Sequence, residues 1–356
     1  MKKSILLVSL LFSLFCFSQI PTNYYSSARG KIDDNLKYEL NQIIDNHIEF
    51  SYTSTNTDVW DILKETDKDP NNSSNVILIY SGVSVDALQE YNSGNGWTRE
   101  HVWAKSRGNF GTTQGPGTDA HALRPLDAQT NTIRNNRGFD NCTDCIDVYD
   151  TWSNNTGSKR DNTEWSFEPR DEVKGDVARM LFYMAVRYDG GDGYIDLELS
   201  ETILGTSDQS PLHGKLSTLL DWHRNDAVDD WERNRNDVIY YDYQNNRNPF
   251  IDHPEIAEYL WGNQIGNTWS DIILDIEHIN ENPIRVFLDK TLDTLNINEL
   301  KDTVIVNVYN ILGILFVSKT VTQYENTIAV SQLERGIYII RLSNNETLIV
   351  KKVVIF

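Results

Sequence analysis

The chain changes character after Trp261-Gly262, and that break limits what it can fold into. Before it, apolar residues recur at helical spacing among many glycines and tryptophans. After it those two residue types nearly vanish, and β-branched runs stand between turn signals: Val304–Tyr309, Ile337–Leu342 and Leu348–Ile355, with Leu312-Gly313 and Arg335-Gly336 among them. A tail of under about a hundred residues patterned this way predicts a small all-β sandwich. With 356 residues, the chain also exceeds what one compact domain usually needs. The expected class is α+β: a mainly helical domain over residues 20–262, a linker over 263–275 and the sandwich over 276–356.

Lys2 and Lys3 precede an apolar run from Ile5 to Phe17, and Ser18-Gln19 then lead into polar sequence. A charged start before a stretch too short to cross a bilayer comfortably reads as a signal peptide over residues 1–19, with a membrane anchor as the competing reading. Its removal would take Cys16 away and leave Cys142 and Cys145, spaced Cys-x-x-Cys. In an oxidising compartment this pair closes a small structural disulfide; a loosely held thiol pair is the alternative, and no second pair exists to complete a four-cysteine site.

Leu36, Leu40, Ile43, Ile44, His47 and Ile48 share one helical stripe, so His47 reads as a core histidine. Asp58–Thr66 suggests a short helix, Val76–Tyr80 a buried strand, and Val173, Val177, Met180, Leu181, Met184 and Tyr188 a core helix. Lys174 and Arg179 fall off that last stripe, where they either face a ligand or pair with Asp171 and Asp176. Residues Phe139 to Glu164 are rich in Asp, Asn, Ser, Thr and Gly and read as loop. Asp189–Asp196 reads as a tight acidic turn, since it lacks the alternating ligands of a calcium loop.

The chemistry-bearing residues gather between Trp97 and Asn136. Gly94-Asn95-Gly96 is a turn signal, so a strand should start at Trp97 and carry Arg99, Glu100 and His101. Asp119 and His121 follow in an Asp-x-His-x-Leu-x-Pro run ending at Pro125, then Asn131 and Arg134. A carboxylate, an imidazole, a carboxamide and guanidinium groups can hold one hard divalent cation, deprotonate a water and neutralise a phosphodiester. Successive strand residues point to opposite faces, yet Glu100 and His101 would serve one cluster. Either the strand ends or bulges there, or one of the two acts through a neighbour.

Arg99-Glu100-His101-Val102-Trp103, the Asp119–Pro125 run, Asn131 with Arg134, the Trp165–Met184 stretch and Gln244–Pro254 stand in the order found in the bacterial endonuclease I family, which the chain resembles over roughly residues 25–260. The resemblance implies a secreted nuclease of the ββα-metal finger class, with Asn131–Asn136 opening the finger's helix. Glu100 and Asn131 would hold Mg2+, or another divalent cation such as Mn2+ or Ca2+. His101 would be the general base, and cleavage of DNA and possibly RNA, without strong sequence specificity, would leave 5′-phosphate ends. The family also implies an arginine beside the scissile phosphate; Arg134, Arg124 and Arg99 compete, with Arg134 preferred and the other two as substrate contacts. Arg247 either touches the sugar-phosphate backbone or stitches the end of the domain onto its core. Asp119 and His121 are expected behind the metal ligands, orienting them, with His121 as a direct ligand the lesser alternative.

With 52 acidic against 32 basic residues, a formal charge of −20 argues against gripping nucleic acid by overall basicity. Arg99, Lys105, Arg107, Arg124, Arg134 and Arg137 nevertheless cluster around the proposed site, where a local basic cleft would suffice. Two other classes stay open: a phosphoesterase of small substrates, using the same metal and base, and a catalytically silent nucleic-acid-binding protein. A monomer is expected. The tail resembles the C-terminal sorting domains of the type IX secretion route through Asn310–Gly313, Leu333–Tyr338 and Lys351-Lys352. That resemblance implies outer-membrane secretion machinery as a partner and an extracellular or cell-surface destination; an adhesive or carbohydrate-binding β-domain is the competing reading.

Overall fold

The computed structural model describes residues 20–270, 284–289, 293–300, 303–310, 313–344 and 348–355. The expected signal peptide, the later part of the expected linker and the middle of the Asn310–Gly313 motif lie outside the described residues. No described helix is long and apolar enough to cross a membrane. The chain falls into two compact units, parted between Asp271 and Ile272.

The first unit opens with helices α1 (Asp33–Ile44) and α2 (Val59–Thr66). Asp58 caps α2: its carboxylate accepts from the amides of Trp60 and Asp61, while Asp61 reaches back to the Asp58 amide. Strands β1 (Lys68–Asp69), β2 (Asn72–Ile77) and β3 (Ser84–Asp86) form one antiparallel sheet. Strand β4 (Trp97–His101) then pairs antiparallel with β5 (Leu123–Asp127), and α3 (Ala128–Arg134) follows without a break.

Strands β6 (Gly138–Phe139), β7 (Ile146–Tyr149), β8 (Asn155–Asp161) and β9 (Ser166–Glu168) make a four-stranded sheet in the order β6-β9-β8-β7. This corrects the loop expected from Phe139 to Glu164. The buried positions of β8 are Thr156, Ser158 and Asp161, so its inward face is polar and its alternation is hidden from hydropathy. Those groups are satisfied inside: Thr156 donates to the Val148 carbonyl and Ser158 to that of Tyr80. Asp161 collects the amides of Thr143, Asp144, Thr163 and Glu164.

Helix α4 (Lys174–Arg187) is the centre of the core, and every residue from Gly175 to Arg187 is buried. A helix enclosed on all sides needs partners for its charges. Lys174 lies 2.7 Å from both Glu168 and Asp171, and Arg179 lies 2.6 Å from Glu232, which settles these two basic residues as ion-paired. Around α4 pack Leu36, Leu40 and Ile44 of α1, with Phe250 and Ile256 from the end of the unit. Strands β10 (Glu198–Ser200) and β11 (Leu212–Lys215), helices α5 (Leu216–Asn225) and α6 (Asp230–Val238), a π-helical turn Ile239–Gln244, and helices α7 (Pro249–Asp252) and α8 (Ile256–Trp261) complete the unit. Four small sheets thus share it with the helices, so the unit is mixed where a mainly helical one was expected.

The second unit is all β: β12 (Arg285–Asp289), β13 (Thr294–Asn298), β14 (Val304–Asn310), β15 (Leu315–Val321), β16 (Thr327–Ala329), β17 (Gly336–Ser343) and β18 (Leu348–Ile355). They form two antiparallel sheets, β12-β13-β16 and β15-β14-β17-β18. Leu295 and Ile297 of one sheet share a core with Val306, Val308, Ile340 and Leu342 of the other, the face-to-face packing of a sandwich. The three runs marked in the sequence are β14, β17 and β18.

Candidate active site

Strand β4 can begin where it does because residue 96 is glycine: a Cβ there would fall 1.7 Å from the Gln89 carbonyl oxygen. Its five residues pair with β5 in unbroken register, from Trp97 opposite Asp127 to His101 opposite Leu123. The strand therefore neither bulges nor ends before His101, and the pleat sends neighbouring side chains to opposite faces. The contacts agree. Arg99 and His101 both stack on Tyr52, with the Arg99 guanidinium 3.4 Å from the ring centre and the imidazole 5.5 Å from it. Glu100 turns the other way, to Tyr80 and Arg134.

Glu100 is buried, and two groups meet it on one oxygen: the Tyr80 hydroxyl donates to Oε1 at 3.1 Å, and Arg134 Nε lies 3.1 Å from the same atom. Burial pushes the carboxyl up to about 7, against the pull of Arg134 and Tyr80. Asn131, in the middle of α3, donates its Nδ2 to the Arg99 carbonyl at 3.3 Å, which fixes Oδ1 as the outward-facing atom of the carboxamide. Oxygen donors of this kind, one of them a buried carboxylate that Tyr80 and Arg134 both meet on Oε1, suit a hard divalent cation. The residues present therefore fit such an ion.

His101 is buried too, and its Nε2 lies 3.0 Å from the carbonyl oxygen of Gly117. A carbonyl only accepts, so Nε2 carries the proton and Nδ1 the lone pair. Burial lowers the imidazole to about 3; the Gly117 contact opposes this, and Lys105, Arg99 and Arg134 add to it. The loop that presents Gly117 runs from β4 to β5 and is held at two points. Arg107, wholly buried, donates to the carbonyls of Asn136, Leu204, Gly205 and Asp208. Gly115 takes a φ of +92°, and a Cβ there would lie 2.3 Å from the Tyr194 ring.

The arginines expected to meet substrate are mostly enclosed. Arg124 is committed to Asp67 at 2.5 Å and Asp176 at 3.2 Å. Arg247 has no exposed surface and pairs with Asp237 and Asp252, each at 2.7 Å, which is the stitching role and not the backbone contact. Arg134 is 1% exposed; besides Glu100 it donates to the carbonyls of Val102 and Asn135 and, at 2.9 Å, to His213 Nε2. Arg99 donates to the Tyr52 carbonyl and the Thr53 hydroxyl and is sandwiched with Trp60, its guanidinium 4.0 Å from that ring. Arg107 and Arg137 are also buried, and Lys105 alone of the six-residue cluster is exposed. The expected basic cleft is thus a layer of charge beneath the surface.

Asp119 and His121 belong to a different centre. Asp119 accepts the hydroxyls of Tyr183 and Tyr188 at 2.8 and 2.9 Å, Gln244 Nε2 at 3.0 Å and the His121 amide. His47 Nε2 lies 3.8 Å from it, and His121 Nε2 donates to the Asn246 carbonyl at 3.1 Å. Among the described residues neither Asp119 nor His121 bonds to Glu100, His101 or Asn131. They tie α4 to the Gln244–Asn248 segment. Sequence reasoning did not find Tyr52, Tyr80, Gly117 or His213 as parts of the site; only the end of the Val76–Tyr80 run hinted at one of them.

Cys142 and Cys145 form the expected disulfide, with Cα atoms 5.4 Å apart. Glu168 completes a cluster with metal-like spacing there, but both sulfurs are spent in the disulfide.

Comparison with known proteins bears on this arrangement in three places. Residues 33–255 match the model of the endonuclease I family, and residues 291–356 match a secretion system C-terminal sorting domain. An extracellular ribonuclease of Bacillus subtilis is 53% identical over 240 residues, covering 67% of this chain and 78% of that protein. An extracellular ribonuclease of Bacillus amyloliquefaciens is 53% identical over 238 residues, with the same coverage. The sorting domain marks the protein for secretion, and the nuclease unit, which carries both the family's match and the His101–Glu100–Asn131 strand and helix, places the chain in the endonuclease I family.

Proposed function

We propose that this secreted nuclease is a divalent-metal-dependent endonuclease that hydrolyses RNA, and DNA as well, without strong sequence preference. One observation carries the reading: an imidazole locked in a single tautomer ends a strand that also bears a buried carboxylate, and the helix after the partner strand supplies a carboxamide oxygen. The β4–β5–α3 unit is read as the family's ββα-metal finger. The names of the two Bacillus relatives bring RNA forward as a substrate.

In this reading Glu100 and Asn131 would hold Mg2+, which when bound offsets charge on the phosphate oxygens and the departing 3′ oxygen. Because Glu100 and His101 face opposite sides of β4, the scissile phosphate lies across the end of the strand, approached by one from each side. His101 Nδ1 takes a proton from the attacking water, Gly117 keeps the ring in place, and Tyr52 covers one ring face. A substrate phosphate beside the ring raises the basicity that burial takes from it. Water oxygen bonds to phosphorus as the bond to O3′ breaks, leaving a 5′-phosphate and a 3′-hydroxyl. Arg134 is a positioning residue for Glu100, and Arg99 clamps Tyr52 against His101.

The test is a side-by-side digestion of RNA and plasmid DNA by the purified protein with Mg2+, with EDTA, and with His101→Ala. Cleavage of polymer only in the first condition is expected. Hydrolysis of small phosphate esters with intact polymer, or binding without cleavage in every condition, would overturn the reading.

A further inference from the structure

Charge pairing inside the nuclease unit has a pattern with two exceptions. The chain has 52 acidic residues against 32 basic ones, so a cation without an acidic neighbour runs against the odds. Arg124, Arg134, Arg179, Arg187, Arg235 and Arg247 each have a carboxylate within ion-pair distance. Arg107 lacks one but donates to four carbonyls, and Arg99 lies between two aromatic rings with Asp58 and Glu90 near enough to favour its charge.

Arg137 and Arg160 are compensated less: Arg137 has two uncharged acceptors and a single aromatic ring, and no carboxylate favours its charge. Among the described residues no carboxylate ion-pairs with either, and the Nε of each is buried without a hydrogen-bond partner. Arg137, 4% exposed, donates to the Ile133 carbonyl and, at 2.8 Å, to Asn162 Oδ1, both uncharged. Burial disfavours its charge first, and then Arg160 and Arg134, both positive, do the same. Two neighbouring guanidinium groups with donors unspent call for an anion.

The surroundings add two observations. The Arg137 guanidinium lies 3.8 Å from the centre of the Trp165 ring, and Trp165 holds a φ of 56°, a left-handed backbone that a bulky residue rarely adopts. Its indole donates to Asn136 Oδ1 at 2.8 Å, so the ring is fixed as a platform under the cation. Second, Arg160 of β8 stands opposite Phe167 of β9, which stands beside Phe139 of β6, so the three share one face of the sheet. Phe167 packs 4.9 Å from the Tyr80 ring, whose hydroxyl bonds Glu100. Arg160 therefore stands on the side of the sheet that carries Glu100, and Arg137, whose charge it opposes, lies near it.

We propose that Arg137 and Arg160, backed by Trp165, form a subsite for a backbone phosphate of the polynucleotide, holding the strand next to the carboxylate side of the active site. The inference rests on the endonuclease reading above and supplies the substrate contact that Arg124 and Arg247 do not make. Planar guanidinium groups suit the bidentate geometry of a phosphate, and a nuclease of strongly negative net charge needs such contacts locally.

The test uses the full chain and the variants Arg160→Gln, Arg137→Gln and Arg160→Lys. Binding of a fluorescent single-stranded oligonucleotide is read in EDTA, so that nothing is cut, over a range of salt. Each Gln variant should weaken binding about 3- to 10-fold at low salt and flatten the log–log salt slope by about 0.7, the release expected for one phosphate contact on a single strand. Arg160→Lys should keep the slope, and turnover in Mg2+ should show the Gln effects in KM more than in kcat. Inorganic phosphate should compete with the oligonucleotide on the wild type.

An unchanged slope in Arg160→Gln overturns the subsite, as does phosphate binding that is lost in the variant while oligonucleotide binding is kept. Arg137→Gln is scored only alongside its melting temperature, and half-buried Arg160 stands as the variant that keeps the fold. Failure of the endonuclease reading looks different, because the wild type itself would then leave polymer intact.

Discussion

His101 Nε2 lies 3.0 Å from the Gly117 carbonyl oxygen, and this one contact decides which ring nitrogen can act as a base. Nitrogen-detected NMR of the imidazole should report the Nε2–H tautomer and a neutral ring at pH 7 and well below, since burial holds it near about 3. A ring protonated on Nδ1 would contradict the assignment. His101→Ala should lower nuclease turnover by about 10²- to 10⁴-fold, the usual share of a general base, in a chain that still folds, with a melting temperature lowered by the lost Gly117 contact and packing on Tyr52.

Arg134 Nε lies 3.1 Å from Glu100 Oε1, both side chains being almost wholly buried. Removing one member of such a pair leaves a charge in low dielectric, so Arg134→Met should cost about 3–5 kcal/mol in urea denaturation. Glu100→Gln should abolish metal-dependent turnover. The double variant should lose clearly less stability than the two single losses added together, because they remove one shared interaction. Strict additivity would mean that the two groups do not support each other.

Part of this site was legible from residue order alone, because Gly96 and the strand after it are written in local turn chemistry; the helix, expected to open at Asn131, instead starts at Ala128 behind an Asp127 cap and ends at Arg134. What was hidden depends on contacts between distant parts of the chain. Tyr52 precedes His101 by nearly fifty residues, and nothing near it marks it as the ring that Arg99 and His101 share. Gly117 acts through its backbone, which no side-chain motif reveals. The basic cluster misled for a related reason: sequence proximity counts charges, whereas function depends on whether Asp67 or Glu100 has already neutralised them. The strand β8 was missed because its buried face is Thr, Ser and Asp, polar groups whose partners lie on other strands and loops.

The Cys142–Cys145 disulfide closes only a short loop, and Glu168 accepts the Cys142 amide at 2.9 Å, a contact that does not use the sulfurs. Loop-closure entropy for so small a ring is worth about 2 kcal/mol. Cys142→Ser with Cys145→Ser should therefore lower stability by about that amount while nuclease turnover in Mg2+ is retained. A large loss of turnover in a folded double variant would show that the clip governs the active site.

Acid should act on the nuclease unit through its buried histidines, against an opposite contribution from Glu100, whose carboxyl burial raises to about 7 so that the folded chain takes up that proton first. Burial, opposed by Asp119, lowers His121 to about 4, and burial with Arg179 lowers His223 to about 4, whereas both titrate near ~6.5 in an unfolded chain. Between those values the unfolded chain binds protons that the folded one refuses, so stability is present in full above about 6.5 and falls as pH drops toward about 4. The loss should reach the order of a few kcal/mol, read as a falling urea midpoint at pH 7, 6, 5 and 4. His121→Gln can keep the donor to the Asn246 carbonyl and has no proton to gain, so its midpoint should fall less steeply over the same window. A His121→Gln midpoint that falls as steeply as that of the wild type would mean that this ring is not held neutral by the fold.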